Sequence, residues 1–141
     1  MKFNSKALAI IMIMAVSLIA TSVVFAEPTN NNPDLDVQDI QITSQGYSMY
    51  DVSCTITPKK SFSYLGIEVT FYDSSNAVIG KSPLVWNMNN PTANEAIKAS
   101  GTATTDSDSS TPARAEVYIY DSAFGSDPND AIYHETVNMT G

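Results

Sequence analysis

YLGIEVTFYDSSNAVIGKS, residues 64–82, alternates apolar and polar side chains, breaks at an Asp-Ser-Ser-Asn cluster, and resumes. Leu65, Ile67, Val69 and Phe71 fall on one side, and Glu68, Thr70 and Tyr72 on the other. A period of two is the mark of a half-buried strand, because successive side chains point to opposite faces. Asp73, Ser74, Ser75 and Asn76 supply a turn, since such side chains bond their own backbone and tolerate its dihedrals. The stretch ends in Gly80-Lys81-Ser82, like the tail of a phosphate-binding loop, but that loop needs a first glycine where Ser75 stands. Strand, turn and strand is the reading the residues favour.

The same grammar extends in both directions. Val37 opens VQDIQIT, and MYDVSCTIT places Val52, Cys54 and Ile56 on one side, with Asp51, Ser53 and Thr55 on the other. AVIG, SPLVWNM, AIKASGTAT, ARAEVYIYD and AIYHETVNM follow, divided by NNPTANE, TDSDSSTP and FGSDPND. The inward parity of the last segment stays open. Short strands divided by turn clusters indicate an all-β fold, an immunoglobulin-like antiparallel β-sandwich of seven to eight strands over residues 35–141. Residues 27–34, EPTNNNPD, are polar and carry two prolines, which predicts a flexible leader.

Residues 1–26 have the plan of a secretory signal peptide. Lys2 and Lys6 precede an apolar run from Ala7 to Ala20, and Val24-Phe25-Ala26 provides a cleavage signal before Glu27. Taken from Ala7 to Ala26, the stretch also has the roughly 20 residues an uncleaved anchor needs. In either case the remainder faces the exterior. All fifteen acidic residues but only five of the seven basic ones lie beyond residue 26, a net charge of −10. Such a chain repels nucleic acid and anionic membrane surfaces. Cys54 is the only cysteine, so the domain must hold by packing without an internal disulfide.

The stretch from Val69 to Asp73, with the strand pair ending in ARAEVYIYD, resembles the FxLYD domain, a family of exported prokaryotic proteins. Tyr72 and Asp73 meet the pattern, while Val69 stands for its Phe and Phe71 for its Leu, so both inward positions stay apolar. The resemblance implies an immunoglobulin-like sandwich outside the cell, and it implies no catalytic residues.

Candidate chemistry is sparse. Asp106, Asp108 and Ser110 fit the first ligands of a helix-loop-helix calcium site, but Thr111 and Val117 replace its glycine and final glutamate. Asp121, Asp127 and Asp130 could form only a looser calcium site, against the simpler reading of solvated turn residues. His134, the single histidine, stands beside Glu135 with no serine in a nucleophile elbow, which predicts a rim residue rather than a triad member. Cys54 alternates with Val52 and Ile56, so it reads as a small buried hydrophobe, and Trp86 as a core or sheet-edge residue. No enzymatic activity, cofactor or metal is expected. Asn138-Met139-Thr140 is an acceptor sequon for N-glycosylation.

The face opposite the core is more informative. If Ala115, Val117 and Ile119 point inward with the apolar set of residues 65–71, then Arg114, Glu116, Tyr118 and Tyr120 point out with Glu68 and Tyr72. Adjacent strands would merge Tyr72, Tyr118, Tyr120, Glu68 and Arg114 into one solvent-facing patch. Tyrosines enrich recognition surfaces because they give contact area with a polar tip, although they also favour strands intrinsically. The expected function is a non-enzymatic exported module that binds a protein or cell-surface component. The alternative is a structural spacer or subunit of a surface assembly.

Overall fold

The computed structural model describes residues 27–30, 32–125 and 127–139. Its strands in chain order are β1 (Glu27–Asn30), β2 (Leu35–Gly46), β3 (Met49–Pro58), β4 (Tyr64–Tyr72), β5 (Val78–Asn89), β6 (Ile97–Thr104), β7 (Arg114–Tyr120) and β8 (Tyr133–Asn138). They form a five-stranded sheet ordered β1-β8-β7-β4-β5 and a three-stranded sheet ordered β2-β3-β6. Every pairing is antiparallel. The fold is therefore all-β, with two sheets packed as a sandwich around one core. Residues 1–26, with the signal-peptide reading, lie outside the described residues.

Alternation builds that core. Leu65, Ile67, Val69 and Phe71 of β4 are buried, as the sequence predicts, beside Ala115, Val117 and Ile119 of β7. Against them pack Val52, Cys54 and Ile56 of β3 and Ala99 and Ala103 of β6. Each large apolar side chain withdrawn from water contributes about 1.5–3 kcal/mol. In β2 a bulge at Asp39, whose φ is 57°, shifts the parity so that Val37 before it and Ile40 and Ile42 after it all reach the core.

The small residues of β6 serve a close approach. A Cβ on Gly101 would collide with the Val85 carbonyl, and one on Gly80 with the backbone of Thr104 and Thr105. These glycines let β5, at the edge of one sheet, lie directly against β6 of the other. Val78, Ile79 and Gly80 of AVIG and all of SPLVWNM, which the sequence separates, belong to the single strand β5. An irregularity opposite Glu68 absorbs Pro83, where an edge strand tolerates the missing donor.

Two expectations need correction or completion. Residues 27–34 are not wholly a flexible leader, because Glu27–Asn30 pairs with β8, bringing Glu27 opposite Thr136 and Asn30 opposite His134. Ladder bonds are made by the backbone, so a polar segment with little β pattern can still add a strand at an open edge. The parity of the last strand is also fixed: Tyr133, Glu135 and Val137 are buried, and the Tyr133 hydroxyl donates to Glu135 at 2.6 Å.

Candidate functional site

The site is assembled on the face of the five-stranded sheet that points away from the core. β4 and β7 pair so that Tyr72 lies opposite Arg114, Thr70 opposite Glu116, and Glu68 opposite Tyr118. β7 and β8 continue the rows, with Asn138 beside Arg114, Thr136 beside Glu116, and His134 beside Tyr118. Lys81 of β5 completes the middle row opposite Thr70. The five residues expected to form a patch, Tyr72, Tyr118, Tyr120, Glu68 and Arg114, thus share one face of two adjacent strands.

Their exposure differs from expectation. Glu68 is only 1% exposed, Tyr120 3% and Tyr118 7%, while Tyr72 and Arg114 are half-buried. Long side chains on neighbouring strands lie down on one another instead of standing in solvent. The Tyr118 ring stacks on His134 at 4.5 Å between centroids. The Arg114 guanidinium lies 4.0 Å above the centre of the Tyr72 ring, in cation–π contact. At the far end the Tyr64 ring folds over Gly66, where there is no Cβ to obstruct it, and the backbone at Gly125 sits on the Tyr120 ring. The β7–β8 loop therefore caps this corner.

Glu116 is the organising acceptor. One of its oxygens takes a hydrogen bond from Arg114 Nε at 2.9 Å, and the other meets Thr136 Oγ1 at 2.8 Å and His134 Nε2 at 2.5 Å. Burial alone would raise its pKa, but the bonds from Thr136, Arg114 and His134 outweigh it and hold the group below the ordinary carboxylate value. Neither Glu116 as an acceptor for three side chains nor Thr136 was legible in the sequence, because both depend on how β7 pairs with β8. His134 is a tied member of this face rather than a plain rim residue.

Glu68 has the opposite environment. Burial pushes its pKa up, against the attraction of Lys81. Lys81 Nζ pairs with Oε1 at 3.3 Å, and its charge and weak hydrogen bond offset part of that rise, but at that length neither carboxylate oxygen gains a well-formed hydrogen bond among the described residues. The buried Tyr120 hydroxyl lacks one too. Burial, with Glu116 next, pushes the Tyr118 hydroxyl up to about 12, and burial with Glu68 pushes up that of Tyr120.

No family model matches the chain, and no curated protein matches it. Its reading rests on its own geometry.

The remaining candidates resolve into structure. Asp73 closes the β4–β5 turn, its Oδ1 accepting from the Ser75 and Ala77 amides and the Ser75 hydroxyl, with Asn76 in the left-handed region at φ 65°. Gly80, Lys81 and Ser82 lie in β5, in agreement with the strand reading of the glycine-lysine-serine tail. Asp108 accepts a hydrogen bond from Ser48, and Asp127 caps the 3₁₀ turn Pro128–Asp130 through the Asn129 amide. No group of three or more metal-ligating side chains forms among the described residues. Cys54 is buried, and burial, with the nearby Glu135, pushes its thiol up to about 12. Trp86 is half-buried on the edge strand. Asn138 is exposed at the end of β8, while Thr140 of its sequon lies outside the described residues.

Proposed function

We propose that the chain is an exported, non-enzymatic binding module of the cell exterior, and that it recognises a protein or cell-surface component through the outer face of its five-stranded sheet. The observation carrying this reading is the gathering of Tyr72, Tyr118, Tyr120, Glu68 and Arg114 onto that face, with His134 and Glu116 between them. Export rests on the charged, apolar and small-residue plan of residues 1–26. The strand order β2-β3-β6 against β8-β7-β4-β5 supports an immunoglobulin-like sandwich, with β4 and β7 in the places of strands C and F. The FxLYD-type reading is proposed on the residues from Val69 to Asp73 with the strand pair ending in ARAEVYIYD, and Asp73 itself closes the β4–β5 turn.

The rival reading, a spacer or subunit of a surface assembly joined through sheet edges, has its own observation. β5 is an edge strand and exposes Val78, Leu84 and Met88. Fluorescently labelled protein incubated with intact cells of the producing organism separates the two. The recognition reading expects saturable binding that the Tyr72, Tyr118 and Tyr120→Ser variant loses, and that Tyr72→Ser with Arg114→Gln, which spares the buried tyrosines, weakens. Binding indifferent to both variants and lost with Leu84→Lys would transfer the contact to the edge.

A further inference from the structure

Glu68 and Glu116 occupy neighbouring rows of the same sheet face, and one is saturated while the other is not. Glu116 accepts from Arg114, His134 and Thr136, whereas both oxygens of Glu68 and the hydroxyl of Tyr120 are buried without a well-formed hydrogen bond among the described residues. A buried acceptor left unmade is costly, most of all for a group that carries charge, so such orphans call for an explanation. The register puts them together: Tyr120 is opposite Gly66, and Glu68 opposite Tyr118, so the carboxylate and the hydroxyl are diagonal neighbours on one face.

We infer that Glu68 and Tyr120 form a slot for a cationic side chain of a partner protein, a lysine ammonium or arginine guanidinium, whose place the chain's own Lys81 holds in part beforehand. The inference rests on the recognition face proposed above and names the chemistry it reads. An ammonium has three donors and a guanidinium five, enough to bond a carboxylate and a phenol oxygen together. The Tyr118 ring opposite Glu68 offers a cation an aromatic neighbour. Asp127 and Asp130 add negative potential at Tyr120, and residues 27–141 carry −10 overall, so a cation is drawn in and an anion repelled.

Lys81 is suited to be displaced. It is half exposed and 3.3 Å from Glu68, longer than a charge-assisted hydrogen bond prefers, so its ammonium can return to water on a flexible stem when a better-placed donor enters. It neutralises the carboxylate without satisfying it.

The test uses the full chain, expressed with its own N-terminus so that any processing takes its natural course, and isotope-labelled for amide shift titration. The probe is a blocked tetralysine peptide, with the same peptide acetylated at every lysine as the neutral control. The expected result is saturable shifts at Glu68, Tyr118 and Tyr120, with affinity about tenfold lower for the acetylated peptide and in the Glu68→Gln and Tyr120→Phe variants. Lys81→Met should raise affinity several-fold by removing the competitor. Glu68→Gln keeps the side chain's shape, and a thermal midpoint no lower than the native chain's would separate lost binding from lost folding. Equal binding of the acetylated peptide, indifference to Glu68→Gln, or weaker binding in Lys81→Met would overturn the slot. If Glu68→Gln retains the cell binding that the tyrosine variant loses, the face remains a recognition surface and the cationic slot is overturned. If the peptide seats as expected but cells bind nothing, the slot stands and the cell-surface role falls.

Discussion

On the three-stranded sheet the short outward residues Thr43, Asp51, Ser53, Ser100 and Thr102, together with Gln45, line an open depression of about 500 Å³. On the five-stranded sheet the equivalent residues are Glu68, Thr70, Glu116, Tyr118 and Tyr120, and all five are buried. Both faces arise from the same alternation of side chains along strands. What separates them is reach: hydroxyls and short acids stay within their own row, while tyrosine, glutamate and arginine cross to the next strand and cover it. Strand period fixes the direction of a side chain, and length and cross-strand partners decide whether it meets water.

If reach makes the second face part of the structure, truncating it must cost stability that truncating the first does not. Glu116→Ala removes the acceptor of Arg114, His134 and Thr136 and should lower unfolding stability by about 2–3 kcal/mol in urea titration near pH 7. Ser53→Ala on the other sheet should stay within about 0.5 kcal/mol. Equal losses would erase the distinction between the faces.

Much of the fold was legible, for a physical reason. Leu65, Ile67, Val69 and Phe71 are apolar on every second position, and a pattern with that period has few alternatives to a strand. The adjacency of β4 and β7 was also legible, because the expected immunoglobulin-like order would put two such strands side by side. The saturation of Glu116 was not, since it depends on β8, whose two faces are both mixed: Tyr133, Glu135 and Val137 against His134, Thr136 and Asn138. Composition could not decide which set points inward. The burial of Glu68 escaped for a related reason, because a glutamate at an outward position reads as solvated until its neighbours are known. β1 escaped because backbone pairing leaves little trace in a segment such as EPTN.

The two glutamates give a finer comparison, through acid stability. The folded pKa of Glu116 is depressed, so its stabilisation is present above the unfolded carboxylate pKa of about 4.3 and is lost as pH falls through the lower folded value. For Glu68 the sign reverses. Its folded pKa is raised, so its contribution is present below the unfolded value and is lost as pH rises through the folded one. Thermal midpoints measured across the acid range should therefore show Glu116→Gln flattening the acid limb, and Glu68→Gln gaining on the native chain towards neutral pH. The effect is smaller than that of truncation because glutamine keeps the shape and part of the hydrogen bonding. Variants that shift in the same direction would mean the two carboxylates share one environment.

The smallest effect is expected at Gly66, and its sign is informative. A methyl there would meet the Tyr64 hydroxyl at 2.7 Å and its ring carbon Cε1 at 2.9 Å, so the ring must move. Tyr64 is only half-buried, and its far end can swing outward at little cost. Alanine also loses less backbone freedom than glycine on entering a strand, which offsets part of the strain. Gly66→Ala should thus change stability by less than about 1 kcal/mol. The displaced ring would nevertheless uncover Tyr120, the next tyrosine on that face, and its amide environment should change where those of Ser53 and Thr102 do not. A loss of several kcal/mol instead would mean that Tyr64 is locked in place and that the corner capped by the β7–β8 loop is as rigid as the core beneath it.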